Sequence, residues 1–213
     1  MTALLRFLFY GVFIRLVVLI VLGLNVRHRE RLPRSGPAII VANHNSHLDT
    51  MVLMSLFPLT LLPKLSPVAA MDYFLTSRLF AWFTLKIIGI LPIKRTVSRG
   101  DENPLAPCDE ALARGKVLII FPEGSRGEPE QLQHFKGGIA RLAESNPAVP
   151  VTPVFLHGLG KVLPKGEALL VPFFCDVFVG EPLSWTGDRR SYMRQLDERM
   201  KQLAVEGNFP SWE

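Results

Sequence analysis

Cysteine is scarce in this chain. Cys108 and Cys175 are the two present in 213 residues, and they stand far apart in apolar or helical contexts. They have no metal-ligand spacing and no disulfide framework, which fits a reducing compartment. No low-complexity segment occurs, and no repeat recurs at a fixed period. The phosphate-binding Walker loop and the dinucleotide glycine fingerprint are both missing, which removes the common nucleotide-fold readings. The serine-hydrolase elbow Gly-x-Ser-x-Gly is missing too, because Glu123 stands where Ser125 would need a glycine two places before it. Neither cysteine has an activating neighbour. No residue in the chain therefore presents itself as an activated nucleophile, and no metal cluster is expected.

Charge is also unevenly distributed. Residues 1–36 carry six arginines (Arg6, Arg15, Arg27, Arg29, Arg31 and Arg34) against Glu30, which accounts for the whole formal net charge of +5. The other 18 basic and 18 acidic residues, in 37–213, cancel. A nucleic-acid-binding chain spreads its basic residues over a folded face, so no nucleic-acid partner is expected. A basic cluster beside an apolar run points to anionic lipid head groups, each charge contributing roughly 1 kcal/mol near such a surface.

The apolar run is Leu4 to Leu24. Its length suits a bilayer core, at roughly 20 residues. Arg15 in its middle opposes a simple span, at about 2.5–3.5 kcal/mol on insertion scales. A tilted or re-entrant helix, an interfacial helix and a true span all remain open. A cleaved leader does not fit, since the charge follows the apolar run and no Ala-x-Ala site is present. The expected organisation is a membrane-associated helix over 1–26 and one domain over 27–213, long enough for one sizeable core.

Beyond the basic linker, Ala38 to Ala42 is small, β-branched and preceded by Gly36-Pro37, which predicts a buried strand. A helix follows over 48–57. Pro67 to Ala70 suits a short strand. Leu75 to Ile88 predicts an apolar helix whose Phe80, Trp82 and Phe83 serve either the core or a lipid-facing surface. Pro107 to Arg114, with Gly115 after it, predicts a helix. Lys116 to Phe121 is a second strong strand, and a helix opens after Gly137-Gly138. Val149 to Phe155, Leu169 to Val171 and Phe173 to Val179 are further strands, with Pro150 and Pro153 suited to strand ends or an edge. Asp188 to Glu206 predicts an amphipathic helix. Strands alternating with helices indicate an α/β layer fold.

Two strands end in compact polar loops. The first gives Asn43-His44-Asn45-Ser46-His47-Leu48-Asp49, just outside a strand's carboxyl end, where α/β folds commonly hold ligands. With His44 in the turn and Asp49 in the first helical turn, the imidazole can bond the carboxylate through one nitrogen and keep the other free to take a proton. A capping box, Ser46-His47-Leu48-Asp49, explains the same residues equally well. His47 is an alternative base. The second loop, Pro122-Glu123-Gly124-Ser125-Arg126, can hold an anion, since Gly124 admits close backbone approach and Arg126 matches phosphate in two-pronged fashion. An ordinary tight turn explains it too. Arg95 and Lys136 are further cationic candidates.

Asn43 to Asp49 resembles the His-x-x-x-x-Asp motif of the glycerolipid acyltransferases, the family of 1-acylglycerol-3-phosphate acyltransferase. Phe121-Pro122-Glu123-Gly124-Ser125-Arg126 resembles that family's second signature. Gly89 to Arg95 is similar to the block between them, with Leu91-Pro92 where many relatives carry aromatic or β-branched residues. Val149 to Val154 is similar to the proline-containing fourth block, and Phe135-Lys136-Gly137 falls where the family has Phe-Lys-x-Gly. The blocks stand in the family's order and cover about residues 30–182. The resemblance implies a single α/β domain with a central mixed β-sheet flanked by helices, as in glycerol-3-phosphate acyltransferases, preceded by a hydrophobic N-terminal helix. It implies His44 as general base, Asp49 as its orienting partner, and Arg95, Glu123, Gly124, Ser125, Arg126 and Lys136 as the acceptor head-group site, with Pro153 forming the pocket. The donor would be acyl-CoA or acyl carrier protein, used as a substrate and not as a cofactor. The acceptor would be a lysophospholipid, most directly 1-acylglycerol 3-phosphate, at the cytoplasmic face of a membrane (the inner one in a bacterium). Another lyso-lipid, such as lyso-ornithine lipid, suits the same pair. A lipid hydrolase using His44 and Asp49 to activate water and a lipid-binding protein without chemistry are the rivals.

Overall fold

The computed structural model describes residues 1–20, 22–74, 77–94, 103–127, 131–162 and 173–209. Among these, seven strands form one sheet: β1 (Leu22–Arg27), β2 (Ala38–Ala42), β3 (Leu65–Ala70), β4 (Leu91–Ile93), β5 (Val117–Ile120), β6 (Val151–His157) and β7 (Phe173–Val179). Their order is β1-β7-β6-β2-β5-β3-β4. Neighbours are parallel except β6 and β7, so the sheet is mixed, as the resemblance implies.

β2 lies between β5 and β6 and is buried along its whole length. Ile40 and Ala42 face a core shared with the helix Leu48–Ser55, while Ile39 and Val41 face the helices Ala106–Ala113, Gly138–Ser145 and Arg189–Glu206. A strand covered on both faces has no reason to alternate in polarity, which is why β2 and β5 read as unbroken apolar runs. Each fully buried Ile or Leu contributes about 1.5–3 kcal/mol. The long helix buries Tyr192, Leu196, Met200 and Leu203, spaced for one stripe.

Pro153 lies inside the sheet and not at an edge. The antiparallel ladder of β6 with β7 runs from Val154 opposite Val179. At the next pair Gly180 N–H still donates to Pro153 O (2.8 Å), and the return bond is the one proline cannot make. The proline thus sits where the ladder ends on one side only.

The N-terminal helix is shorter than the apolar run predicts. Three consecutive helical stretches, Thr2–Leu8, Phe9–Ile14 (π-wound) and Arg15–Ile20, end before β1. Leu22–Arg27 is a strand at the sheet edge, paired in parallel with β7, so residues expected to complete a helix to 26 belong to the sheet. Leu22, Leu24 and Val26 turn inward while Gly23, Asn25 and Arg27 are exposed, a two-residue period hidden inside the apolar run. Among the described residues no helix is long and apolar enough to cross a membrane.

Two side chains dock the N-terminal helix on the domain. The Arg6 guanidinium donates through Nη2 to Leu65 O and Ile88 O, both at 3.2 Å. Tyr10, 1% exposed, donates to Met54 Sδ at 3.0 Å. Arg15 is exposed. The aromatic helix begins at Arg78, with Ser77 Oγ accepting from Phe80 N–H, and ends at Gly89 with φ +84°. The strand expected over Leu169–Val171 lies outside the described residues.

Arg6→Met removes two hydrogen bonds to partly buried carbonyls and should lower unfolding free energy by about 1–3 kcal/mol. Arg15→Met should change it little, and denaturant unfolding of both variants checks the contrast.

Candidate active site

β2 and β5 are parallel neighbours, so the loops that leave their carboxyl ends lie side by side. This brings His44 and the Pro122–Arg126 loop together. His44 Nδ1 lies 2.9 Å from Asp49 Oδ2. The same oxygen accepts from Asn45 N–H (2.6 Å) and Ser46 N–H (2.8 Å). Asp49 is fully buried, and three donors on one oxygen suit its ionised form. Burial pushes the Asp49 carboxyl up, opposed by the bonds from His44, Ser46 and Asn45. With Nδ1–H donating to Asp49, Nε2 is the ring nitrogen that can accept a proton.

Capping and imidazole orientation are therefore both real, and both use Oδ2. The helix starts at Leu48, so Asp49 is one place earlier in the first turn than a capping box requires. Ser46 Oγ accepts from Leu48 N–H at 3.3 Å, and Asp49 reaches back to Ser46 N–H. Oδ1 has no hydrogen-bond partner among the described residues.

The loop is held from three further directions. Asn43 bonds β6 twice, from Nδ2 to Leu156 O (2.8 Å) and from Leu156 N–H to Oδ1 (2.7 Å), prolonging the β2–β6 pairing with a side chain. Asn45 Nδ2 also donates to Leu156 O, at 3.0 Å. Phe121 stacks on the His44 ring, with centroids 4.2 Å apart. Glu123, buried, accepts from His44 N–H (3.3 Å) and Gln133 N–H (3.4 Å), and burial pushes its carboxyl up against those bonds. Gly127 N–H closes the contact on His44 O.

A cavity of about 1210 Å³ opens over this pair. His44, His47, Gly124, Ser125, Arg126 and Lys136 all border it. Gly124 takes φ +76°, and a Cβ there would collide with the Lys136 amine, so glycine is what lets the ammonium lie over the loop. Lys136 N–H donates to Pro122 O at 2.9 Å, tying its segment to the same turn. Desolvation, reinforced by Arg126 and His44, pushes the His47 imidazole down toward its neutral form. The remaining wall includes Met51, Phe80, Thr84 and Ile88, an apolar surface between two helices.

Of the residues assigned to the site from sequence, His44, Asp49, Gly124, Ser125, Arg126 and Lys136 converge. Glu123 is turned to the backbone of His44 and Gln133 and is not among the cavity-lining residues. Pro153 is corrected from pocket wall to sheet core, because its strand lies behind β2 and does not border the cavity. Arg95 lies outside the described residues. Sequence reasoning passed over Asn43, Asn45 and Phe121. The two asparagines flanking His44 offered a signal, since buried amides after a strand need partners; Phe121 offered none beyond being apolar. No group of three metal-ligating side chains occurs among the described residues. The arrangement can supply an oriented proton acceptor beside two cationic side chains and an apolar wall.

The acyltransferase family profile matches residues 23–157. The chain is 33% identical over 162 residues to the chloroplastic 1-acyl-sn-glycerol-3-phosphate acyltransferase LPAT1 of Arabidopsis thaliana, covering 75% of this chain and 43% of that protein. It is 29% identical over 182 residues to the 1-acyl-sn-glycerol-3-phosphate acyltransferase of Pseudomonas aeruginosa, covering 85% and 67%. It spans about half the length of the chloroplastic relatives it matches. The fold is that of the crystal structure of the 1-acyl-sn-glycerophosphate (LPA) acyltransferase PlsC from Thermotoga maritima, with TM-score 0.69 at 19% identity over 96% of this chain and 95% of that one. Since the profile spans β1 to the end of β6, with His44, Asp49 and the Arg126 loop inside it, the chain belongs to the acyltransferase family.

Proposed function

We propose that this chain transfers a fatty acyl group from acyl-CoA or acyl carrier protein to the free hydroxyl of a lysophospholipid, most directly 1-acylglycerol 3-phosphate, giving phosphatidic acid. The observation that carries the reading is the 2.9 Å contact of His44 Nδ1 with buried Asp49 at the floor of a cavity bordered by Arg126 and Lys136. The names of the matched relatives support the acceptor.

The acceptor phosphate lies against Arg126 and Lys136, which places its hydroxyl near His44. Nε2 takes the hydroxyl proton as the oxygen attacks the thioester carbonyl. That attack forms the C–O ester bond, and the tetrahedral intermediate collapses by restoring the carbonyl and breaking the C–S bond. The protonated imidazole returns its proton to the departing thiolate. Asp49 holds the ring orientation and stabilises the imidazolium that forms between the two proton transfers. Glu123 acts on this step indirectly, by fixing the His44 backbone.

Exposed apolar residues on two packed helices support contact with a membrane. Leu4, Leu8, Phe13, Leu16 and Ile20 are exposed on the N-terminal helix, and Leu79 and Trp82 on the helix after Ser77. Phe9 and Phe83 pack edge to face with centroids 5.3 Å apart, joining the two helices. Phe80 is 40% exposed and also borders the cavity. This face rests on a lipid leaflet, the exposed Arg15 on it meets head groups, and the acyl chains enter past Phe80.

Purified chain offered a panel of lyso-lipids with each donor tests the substrate. Transfer to lysophosphatidic acid is expected; robust transfer to a phosphate-free acceptor alone would overturn the assignment, and fatty acid release without lipid product would favour hydrolysis. His44→Ala should lower kcat by at least ~10²-fold, the low end for general-base catalysis, and Asp49→Asn should also lower it. Full activity in His44→Ala would remove the base. For the membrane face, Phe13→Asp with Leu79→Asp should release the chain from vesicles in sedimentation while leaving its unfolding midpoint in place.

A further inference from the structure

Among the described residues, the cavity is bordered by Lys94, Arg126, Lys136, Arg141, Arg189 and Arg190, and by no Asp or Glu. Arg126 and Lys136 belong to the loop beside His44. The three other arginines stand on two helices that follow that loop in the chain. Arg141 lies one turn into the helix Gly138–Ser145, and Arg189 and Arg190 open the helix Arg189–Glu206. Arg189 Nε donates to Glu144 at 2.7 Å, which locks the two helices together at this rim. Arg141 and Arg190 are exposed, and Leu142 and Met193 form the wall beneath them.

A phosphate monoester brings roughly two negative charges, which Arg126 and Lys136 already match. Arg141 and Arg190, on other elements of the same cavity border, are then available to a second anion. Acyl transfer joins two substrates, and the acceptor accounts for one of them. We infer that Arg141 and Arg190, on helices held together by the Arg189–Glu144 pair, dock the phosphate-bearing carrier of the acyl donor, the phosphopantetheine thioester, with its thioester end directed to His44. This inference rests on the acyltransferase reading. The shared chemistry is a phosphate on a pantetheine arm, whether it comes from coenzyme A or from a carrier protein.

Steady-state kinetics of the full chain on lipid vesicles tests it, using acyl-CoA, acyl carrier protein and phosphate-free acyl-pantetheine as donors. Arg141→Gln with Arg190→Gln should raise KM for a phosphate-bearing donor by about tenfold or more, as expected for two lost charge-assisted contacts. KM for acyl-pantetheine, KM for the lyso-lipid and kcat should hold. Arg126→Gln should show the reverse split, and Arg141→Lys with Arg190→Lys should recover much of the donor affinity. A rise for one phosphate-bearing donor alone supports the site and names its source. Unchanged KM for both phosphate-bearing donors, or an equal rise for acyl-pantetheine or the lyso-lipid, would overturn the inference. A wild-type chain that transfers from no donor would instead defeat the acyltransferase reading.

Discussion

One buried carboxylate oxygen organises this site. Asp49 Oδ2 receives the His44 imidazole and two backbone N–H groups within 2.9 Å. A carboxylate removed from water is costly unless donors meet it, so the turn from strand to helix is obliged to deliver all three. The tight loop, the helix start and the orientation of the imidazole are one arrangement viewed at three scales. Asn43 and Asn45 on β6, Phe121 on the ring and Glu123 on the His44 amide then leave that loop little room to move.

Tertiary structure also sorts charge in a way the linear chain conceals. Residues 37–213 are neutral in sum, yet the cavity border carries cations without acids among the described residues. The two acids beside the His44 loop, Asp49 and Glu123, are buried and absent from that border, and Asp49 Oδ2 and both Glu123 oxygens accept from N–H donors. Their carboxylates are thereby kept off the cavity surface, which Arg126 and Lys136 border. Neutral overall composition and a strongly polarised site are compatible because burial, not sequence position, decides which charges a ligand meets.

The N-terminal segment illustrates a related point. Apolar length alone suggested a helix reaching 26, but the chain uses its first part as a helix docked by Arg6 and Tyr10 and its last part as an edge strand. A run that is apolar almost all round contains both periods, and pairing with β7 selects the two-residue one over Leu22–Arg27. Arg6, which counts as a head-group charge in the sequence, is tied to two carbonyls of the domain.

The sequence by itself determined the strands β2, β5 and β7, the long last helix, the α/β class, the His44–Asp49 pair and the Gly124–Arg126 loop. Each rests on local pattern: unbroken β-branched runs, a helical stripe, a polar cluster after a strand, a glycine where the backbone must turn. The adjacency of the two loops was decided only in three dimensions, because it depends on β5 inserting between β2 and β3. The same holds for Pro153, whose place inside β6 depends on which neighbour each backbone edge faces, and for Glu123, whose role depends on which N–H groups the fold brings to it. Local chemistry is written residue by residue, whereas partnership across the sheet exists only once the strands have been ordered.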